Sequence, residues 1–551
     1  MQDLIKQLAF PVLFILALFS LPVFERLTSP RAQVESTSER ATPIDAADGP
    51  VPIKKIILMI GDGMGMHQVS QAVYARKLTA PDGAPLAFER LARPDRAHAA
   101  MVSTYSADSI TTDSASSATA YACGIKTNNR FIGTKPGGRA CESILDRARA
   151  NGRATGLVST MRITHATPAS FFATIDNRDL EHRIAPQLLE DGGRVDVVLG
   201  GGSRFFLPDG LYHSDIKECK QRPRAPVGGA EKLQLELIDK SARLDEDTDL
   251  IAKARDSGYA LACYKNQLPA PDSFQPGRDK LLGLFAGSNL PHIQERRVLK
   301  DFIPSLAEMT EYAIDVLDND PDGFFLMVES GMIDYAGHYN DAGTQLQETL
   351  DFSRAIDKAI DYTERNPDTL LIVTADHETG GFSMSYDRSG DAYNYGDARV
   401  LERQLRQNAS FQSLLGYALR KDIAGGTTPV ERLLMGFQRS NQPWTLTRAE
   451  ARAVFGISYN RSKNPDVQAT EYPGTYSAEF NRMYFGNRLG RVIARQTKSV
   501  WSSGNHSHTP VGVFIQSRGI DRAALPGWIE NTDIYAIMRS ALDSGRVELN
   551  K

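Results

Sequence analysis

Cysteine is scarce, with four residues in a chain of 551. That excludes a small disulfide-framework protein, and the four lack zinc-finger spacing, yet an even count leaves room for two bridges in an oxidising compartment. Surplus positive charge is also missing. The chain carries 63 Lys and Arg against 67 Asp and Glu, a net of −4, so it lacks the basic field that binding to a phosphate backbone needs. Nucleic acid is therefore not an expected partner. No internal repeat is apparent, and beyond the amino terminus no apolar run is long enough to span a bilayer. What remains is ordinary globular composition, 41% hydrophobic and 24% charged, which rules out pervasive disorder and collagen-like repeats. Length alone suggests roughly three to four domains, or fewer large ones.

The amino terminus departs from this average. Leu8 to Phe24 is apolar apart from Pro11, Ser20 and Pro22, and Lys6 precedes it. This is the layout of an export signal, although a stretch left uncleaved would act as an anchor and tether the protein to a membrane. Residues 1–27 are read as that signal or anchor, and the Ser/Thr/Pro/Ala-rich residues 28–50 as a linker. The body is expected to be exported, to a periplasm or the extracellular space.

From residue 53 onward, short apolar runs alternate with helical patterns. The runs are Ile56–Ile60, Gly156–Ser159, Val195–Leu199, Phe324–Val328, Leu370–Val373 and Val511–Ile515. Continuous apolar strands suit a mostly parallel sheet covered by helices on both faces, a three-layer α/β sandwich. Ser305-Leu306-Ala307-Glu308 is a capping box that opens one helix, and Leu346, Leu350, Ile356 and Ile360 make the apolar stripe of another. Two stretches break the rhythm. Residues 206–300 are polar and Pro-rich and read as an insertion. Residues 385–499 read as a decorating subdomain with helices near Phe411 to Arg420 and Thr447 to Phe455, which leaves 51–384 and 500–551 as one large α/β domain.

In open α/β sheets, ligands bind beyond the carboxyl ends of strands. Asp62, Glu329, Asp376 and His377 stand at such ends. One Asp after a strand is usually a turn residue, but three strand ends carrying metal-type ligands are harder to explain that way. Asp334 and His338, four apart, share one side of a helical turn and could bind a single ion; alone they would read as a surface pair. Mixed Asp and His ligation suits zinc, whereas Glu with a hydroxyl suits magnesium. Asp113-Ser114 opens a run of small helix-compatible residues, where Ser114 is equally an ordinary cap or a nucleophile facing an anion. Gly61-Asp62-Gly63-Met64-Gly65 fails the dinucleotide-binding spacing in either register, so these glycines more plainly turn Asp62 inward. Cys123 with Cys141, and Cys219 with Cys263, read as structural disulfides or buried thiols.

Taken together and in order, four motifs resemble the alkaline phosphatase family. They are Ile60 to Gly65, Thr112-Asp113-Ser114-Ala115, Val328-Glu329 through Asp334 to His338, and Thr374-Ala375-Asp376-His377-Glu378-Thr379-Gly380-Gly381. The resemblance implies hydrolysis of phosphate monoesters with Ser114 as the nucleophile that is transiently phosphorylated. It implies two zinc ions, one on Asp334, His338 and a late histidine, the other on Asp62, Asp376 and His377. A magnesium ion would take Asp62, Thr167 and Glu329. Arg178 matches the phosphate-clamping arginine, with Asp113 beside it, and a homodimer is the implied assembly. Two metals ~4 Å apart would clamp the attacking and leaving oxygens of an in-line displacement. By the same resemblance, residues 385–499 correspond to an inserted crown-like subdomain.

This chain departs from the family pattern at three points. His165 stands where known bacterial members have Asp and animal members have His, and Tyr335 where Lys or His is common. The late zinc ligand is either His506 or His508, and spacing back from the strand at Val511 favours His506. A phosphodiesterase of the same superfamily would use the same Asp/His set, but Arg178, Glu329 and Thr167 suit a terminal dianionic phosphate. A sulfatase is disfavoured because Ser114 is not followed by x-Pro-x-Arg. A metal- or phosphate-binding protein without turnover would not need Ser114 among a full set of ligands.

Overall fold

All six predicted apolar runs become strands of one central sheet. The computed structural model describes residues 51–220, 248–385, 399–419, 428–455, 476–507, 509–518 and 525–549. The export segment, the linker and His508 lie outside them. In chain order the sheet strands are β1 (Lys55–Gly61), β2 (His98–Ser103), β3 (Ala154–Arg162), β4 (Val197–Gly201), β5 (Tyr259–Ala262), β6 (Lys280–Leu284), β7 (Phe324–Ser330) and β8 (Thr369–Thr374). Two short strands follow, β9 (Glu378–Thr379) and β10 (Phe382–Met384), then β11 (Ser499–Trp501) and β12 (His506–Ser507), which pair with them outside the main sheet. The last two sheet strands are β13 (Val511–Gln516) and β14 (Trp528–Glu530).

The ten strands run in the order β14-β2-β13-β8-β1-β7-β3-β4-β6-β5. The seven from β8 to β5 are parallel, and β13 alone runs against its neighbours β8 and β2. Every residue of β3, β7 and β8 is buried, as expected where helices cover both faces. Each Leu, Ile, Val or Phe so buried contributes about 1.5–3 kcal/mol relative to exposure, and this drives the sheet into the interior.

The helices that matter for the site are α1 (Met66–Thr79), α2 (Ser114–Cys123), α3 (Leu306–Leu317), α4 (Met332–His338) and α5 (Ala342–Arg365). The Ser305–Glu308 capping box is formed, and Leu346, Ile356 and Ile360 on α5 are buried while Leu350 packs half-buried at the edge of a small cluster. Both cysteine pairs are disulfides, Cys123–Cys141 and Cys219–Cys263.

The described residues of 206–300 are not an insertion. They supply β5 and β6, which extend the parallel sheet at its edge. The sequence hid them because β5 is only four residues long and only its two end residues are buried, and Gly283 interrupts the apolar run of β6. The described part of 385–499 is helical: α6 (Arg399–Leu405), α7 (Phe411–Ala418), α8 (Pro429–Arg439), α9 (Arg448–Phe455) and α10 (Tyr476–Thr497). Phe411, Leu415, Leu433, Val454, Leu489 and Ile493 form an apolar cluster separate from the sheet core. The carboxyl-terminal helix α11 (Asn531–Ser544) packs against α2.

Candidate active site

The carboxyl ends of β7, β1 and β8 lie side by side at the middle of the sheet, with Ile60 of β1 level with Glu329 on one side and Thr374 on the other. That register gathers Asp62, Glu329 and Asp376 from distant parts of the sequence, all fully buried. Asp62 points inward because the chain turns at Gly63, whose φ is +71° and where a Cβ would lie 2.7 Å from the Asp334 Cα. The Gly63 N–H donates to Asp376 Oδ1 at 3.0 Å, and the His377 N–H donates to the same oxygen at 2.8 Å.

Ser114 is the first residue of α2. Asp113 caps that helix, its carboxylate accepting from the Ser116 N–H at 3.0 Å, so Ser114 sits where unpaired helix N–H groups favour an anion. Small residues let α2 run buried on all sides. Ser117 Oγ donates to the Asp376 carbonyl at 2.7 Å and the Tyr121 hydroxyl to the Ala375 carbonyl at 2.6 Å, which fastens the helix to the end of β8. Ser114 Oγ then lies 3.1 Å from His377 Nε2.

Asp334 and His338 share one face of α4, as their spacing predicts, with His338 Nε2 3.2 Å from Asp334 Oδ2. His338 Nδ1 donates to the Gly504 carbonyl at 2.7 Å, which fixes the ring with Nε2 facing Asp334. His506 in β12 pairs with Thr379 in β9, and its ring centroid is 4.0 Å from that of His377 and 5.2 Å from that of His338. Ligand atoms of Asp62, Asp376 and His377 lie within 4.8 Å of one another; so do those of Asp334, His377 and His506, and those of Asp62, His165 and Glu329. His165 thus joins the group in which the sequence placed Thr167, and Thr167 follows in the short helix Ala166–Ala169 with its hydroxyl buried. Tyr335 is buried with its ring edge-on to both His165 and His338.

The polar atoms here are not satisfied by protein. Both Asp62 oxygens, Asp376 Oδ2, Glu329 Oε1, Thr167 Oγ1 and His165 Nδ1 are buried without a hydrogen-bond partner. Such atoms normally find one, and so many converging on one spot with carboxylate and imidazole chemistry fit divalent cations. Electrostatics agree. Burial pushes Asp62 well above the carboxylate range, and the Asp376, Asp334 and Glu329 charges push it further. Burial, joined by the Asp376 charge, brings Glu329 to about 7 against the opposing Ser159 hydroxyl bond. Asp376 is raised as well, by burial first. Burial would also raise Asp334, but His338 outweighs it and holds Asp334 low. Burial keeps His165 and His506 below their ordinary range, hence neutral and able to ligate.

On the open side, Arg178 donates from one terminal nitrogen to Asp113 Oδ2 at 2.9 Å, while the other is 3.1 Å from His165 Nε2. Burial alone would raise Asp113; Arg178 and the Ser116 and Arg130 N–H groups bring it down to about 2. A guanidinium fixed in this way presents a planar fork to a phosphate.

Sequence reasoning quoted Thr379 within a motif without assigning it a role. Its hydroxyl donates to Asp334 Oδ1 and accepts from His377 Nδ1 at 3.2 Å, so one side chain orients two members of the Asp334, His377 and His506 group. Glu378 beside it is buried and accepts from Gln68 Nε2 and the Gly381 and Phe382 N–H groups, holding the turn that carries His377. The signal was a hydroxyl residue two positions after a ligating histidine. Thr379→Val keeps the shape and removes the hydroxyl, and a loss of ~10–100-fold in metal affinity is expected in a zinc-competition titration. Unchanged affinity would remove Thr379 from the site. Helix α10 also reaches the site, since Asn487 donates through Nδ2 to the His338 carbonyl.

Comparison with known proteins meets this geometry. The family model described as alkaline phosphatase matches residues 53–544. The chain is 31% identical over 500 residues to alkaline phosphatase 3 of Bacillus subtilis, covering 89% of each. It is 34% identical over 494 residues to the repressible alkaline phosphatase of Saccharomyces cerevisiae, covering 84% of this chain and 81% of that protein. The Thermus thermophilus alkaline phosphatase structure superposes with a TM-score of 0.69 at 26% identity, covering 95% of this chain and 97% of that one. With the matched region spanning the whole sheet and every described candidate residue, the chain belongs to the alkaline phosphatase family, whose members are phosphomonoesterases.

Proposed function

We propose that Ser114 is the nucleophile of a metal-dependent phosphate monoester hydrolysis in which Arg178 holds the substrate phosphate. The observation that carries this reading is the position of Ser114 Oγ, at a helix amino terminus and 3.1 Å from His377 Nε2, beside carboxylates that lack partners. Asp62, Asp376 and His377 would hold one zinc, and Asp334, His338 and His506 a second; Asp62, Thr167, Glu329 and His165 would hold magnesium. When bound, these cations neutralise the carboxylates and supply Lewis-acid activation of the attacking oxygens.

The chain's own residues do the rest. Arg178 is kept in place by Asp113 and lays its nitrogens on two phosphate oxygens. Ser114 Oγ gives up its proton to solvent and attacks phosphorus in line with the leaving alcohol, whose oxygen takes a proton as the ester bond breaks. Water then displaces Ser114 from the phosphoserine, releasing inorganic phosphate and restoring the hydroxyl.

The deciding assay compares a chromogenic phosphate monoester with the matching diester at alkaline pH. The monoester is expected to be preferred by at least ~10²-fold in kcat/KM, because the Arg178 fork and the third cation group are built for a terminal dianion. Equal or better turnover of the diester would replace this reading with a phosphodiesterase.

The protein is further proposed to be exported. Leu8 to Phe24 has the form of a signal, and two disulfides suit an oxidising compartment. Among the described residues no helix is long and apolar enough to cross a membrane. A homodimer is the assembly expected from the family.

A further inference from the structure

Two loops flank the phosphate side of the site, residues 128–132 and 175–179. They run antiparallel: Ile132 and Ile175 exchange both backbone hydrogen bonds, at 2.8 and 2.9 Å, and the Arg178 N–H donates to the Arg130 carbonyl at 2.9 Å. Arg130 is the centre of this pairing and adopts φ +73°, in the left-handed region that side-chain-bearing residues seldom occupy. A residue held there against its preference is retained by its surroundings.

What that conformation achieves is visible in the contacts. The Arg130 N–H donates to Asp113 Oδ2 at 3.1 Å, the same oxygen that receives Arg178 at 2.9 Å. Its carbonyl receives the Arg178 N–H. Its guanidinium donates to Asn177 Oδ1 at 2.9 Å and pairs with the Asp179 carboxylate. Arg130 therefore grips the residues on both sides of Arg178, and also the carboxylate on which Arg178 rests. Asn129 completes the brace, its Oδ1 accepting from the Asp113 N–H at 2.9 Å. Neither the strand-end argument nor the motif resemblance assigns any role to Arg130.

We propose that Arg130 is a positioning residue for the phosphate clamp: it acts through Arg178, holding the Asn177-Arg178-Asp179 segment so that the Arg178 fork is already aimed before phosphate arrives. One nitrogen of its guanidinium makes both contacts, with Asn177 and Asp179, and through them it acts on the segment that carries Arg178. Preorganisation of this kind lowers the entropy lost on binding and is read in affinity more than in turnover. The inference rests on Arg178 being the phosphate clamp.

The test uses the full-length protein and steady-state kinetics on a phosphate monoester, with inorganic phosphate as competitive inhibitor. Arg130→Gly is the informative variant, since glycine accepts the left-handed backbone and keeps the N–H and carbonyl that bond Asp113 and Arg178 while deleting the side chain that carries the guanidinium. KM and the phosphate Ki are expected to rise together by about tenfold, with kcat changed by less than about twofold. Arg130→Lys, which keeps a cation but not the fork, should recover part of the loss. In an Arg178→Ala background, Arg130→Gly should add nothing further, because the group it positions is gone.

Four outcomes overturn the proposal. Arg130→Gly with unchanged KM and phosphate Ki does so. So does a rise in KM that depends on the leaving group while the phosphate Ki stays fixed, which would mean that Arg130 touches the substrate directly. An equal additional loss in the Arg178→Ala background shows that Arg130 acts elsewhere. If Arg178→Ala itself leaves KM and phosphate Ki unchanged, the clamp assignment fails and the proposal falls with it; if Arg178→Ala weakens phosphate and Arg130→Gly does not, the clamp stands and only Arg130 is dismissed.

Discussion

Ser114→Ala is expected to lower kcat/KM for a phosphate monoester by ~10³-fold or more, equivalent to ~4 kcal/mol of transition-state stabilisation. The substitution removes one oxygen and little else. Alanine is a good first-turn helix residue, and Asp113 still caps α2 through the Ser116 N–H, so the helix and its bonds to Ala375 and Asp376 should survive. What disappears is the atom 3.1 Å from His377 Nε2 at the helix amino terminus. Any residual rate would come from direct attack by water on a phosphate still held by Arg178. Two measurements check this: steady-state kinetics of the variant, with thermal unfolding to confirm the fold, and acid-quenched mass spectrometry of the native protein for a phosphorylated Ser114. Activity within tenfold of the native protein would remove Ser114 as nucleophile.

Chelation is expected to abolish turnover to below ~1% and to lower Tm by several degrees, with both restored by zinc and magnesium together. The physical cause is the packing of Asp62, Glu329 and Asp376 at adjacent strand ends with oxygens that no protein group satisfies. Without cations these carboxylates repel one another and favour the protonated form, so the folded state carries an electrostatic cost that bound ions relieve. A ligand present at ~1,000 times its Kd adds about 4 kcal/mol to the folded state. Elemental analysis is expected to give about two zinc and one magnesium per chain. Full activity in a protein shown to be metal-free would contradict the mechanism, and an unchanged Tm after chelation would contradict the electrostatic account.

Much of the fold was legible because strands in the interior of a sheet are written as unbroken apolar runs, and six such runs are the six strands they suggested, five of them parallel and the sixth, β13, antiparallel to its neighbours. Strands that alternate or stop short carry a weaker pattern. His98–Ser103, Tyr259–Ala262 and Trp528–Glu530 lie towards the edges of the sheet, where one face or one end meets solvent, so their composition resembles that of loops. The same weakness made 206–300 look like an insertion, although hydrogen bonding to β4 makes β6 part of the sheet.

The site divides along a similar line. Residue identity and local spacing, on the sequence alone, marked Asp62, Ser114, Glu329, Asp334, His338, Asp376 and His377, because ligand chemistry at strand ends and an i,i+4 pair on a helix are local properties. Sequence order also placed the chain beside the alkaline phosphatases. Tertiary structure alone decided that His506 meets His377, since a two-residue strand pairing brings it there across a long helical excursion. It alone set His165 with Asp62 and Glu329, gave Thr379 two ligands to orient, and placed Arg130 beside Arg178. These are hydrogen bonds between segments distant in sequence, fixed by strand order and register rather than by any neighbouring residue, and a one-dimensional pattern carries no record of them.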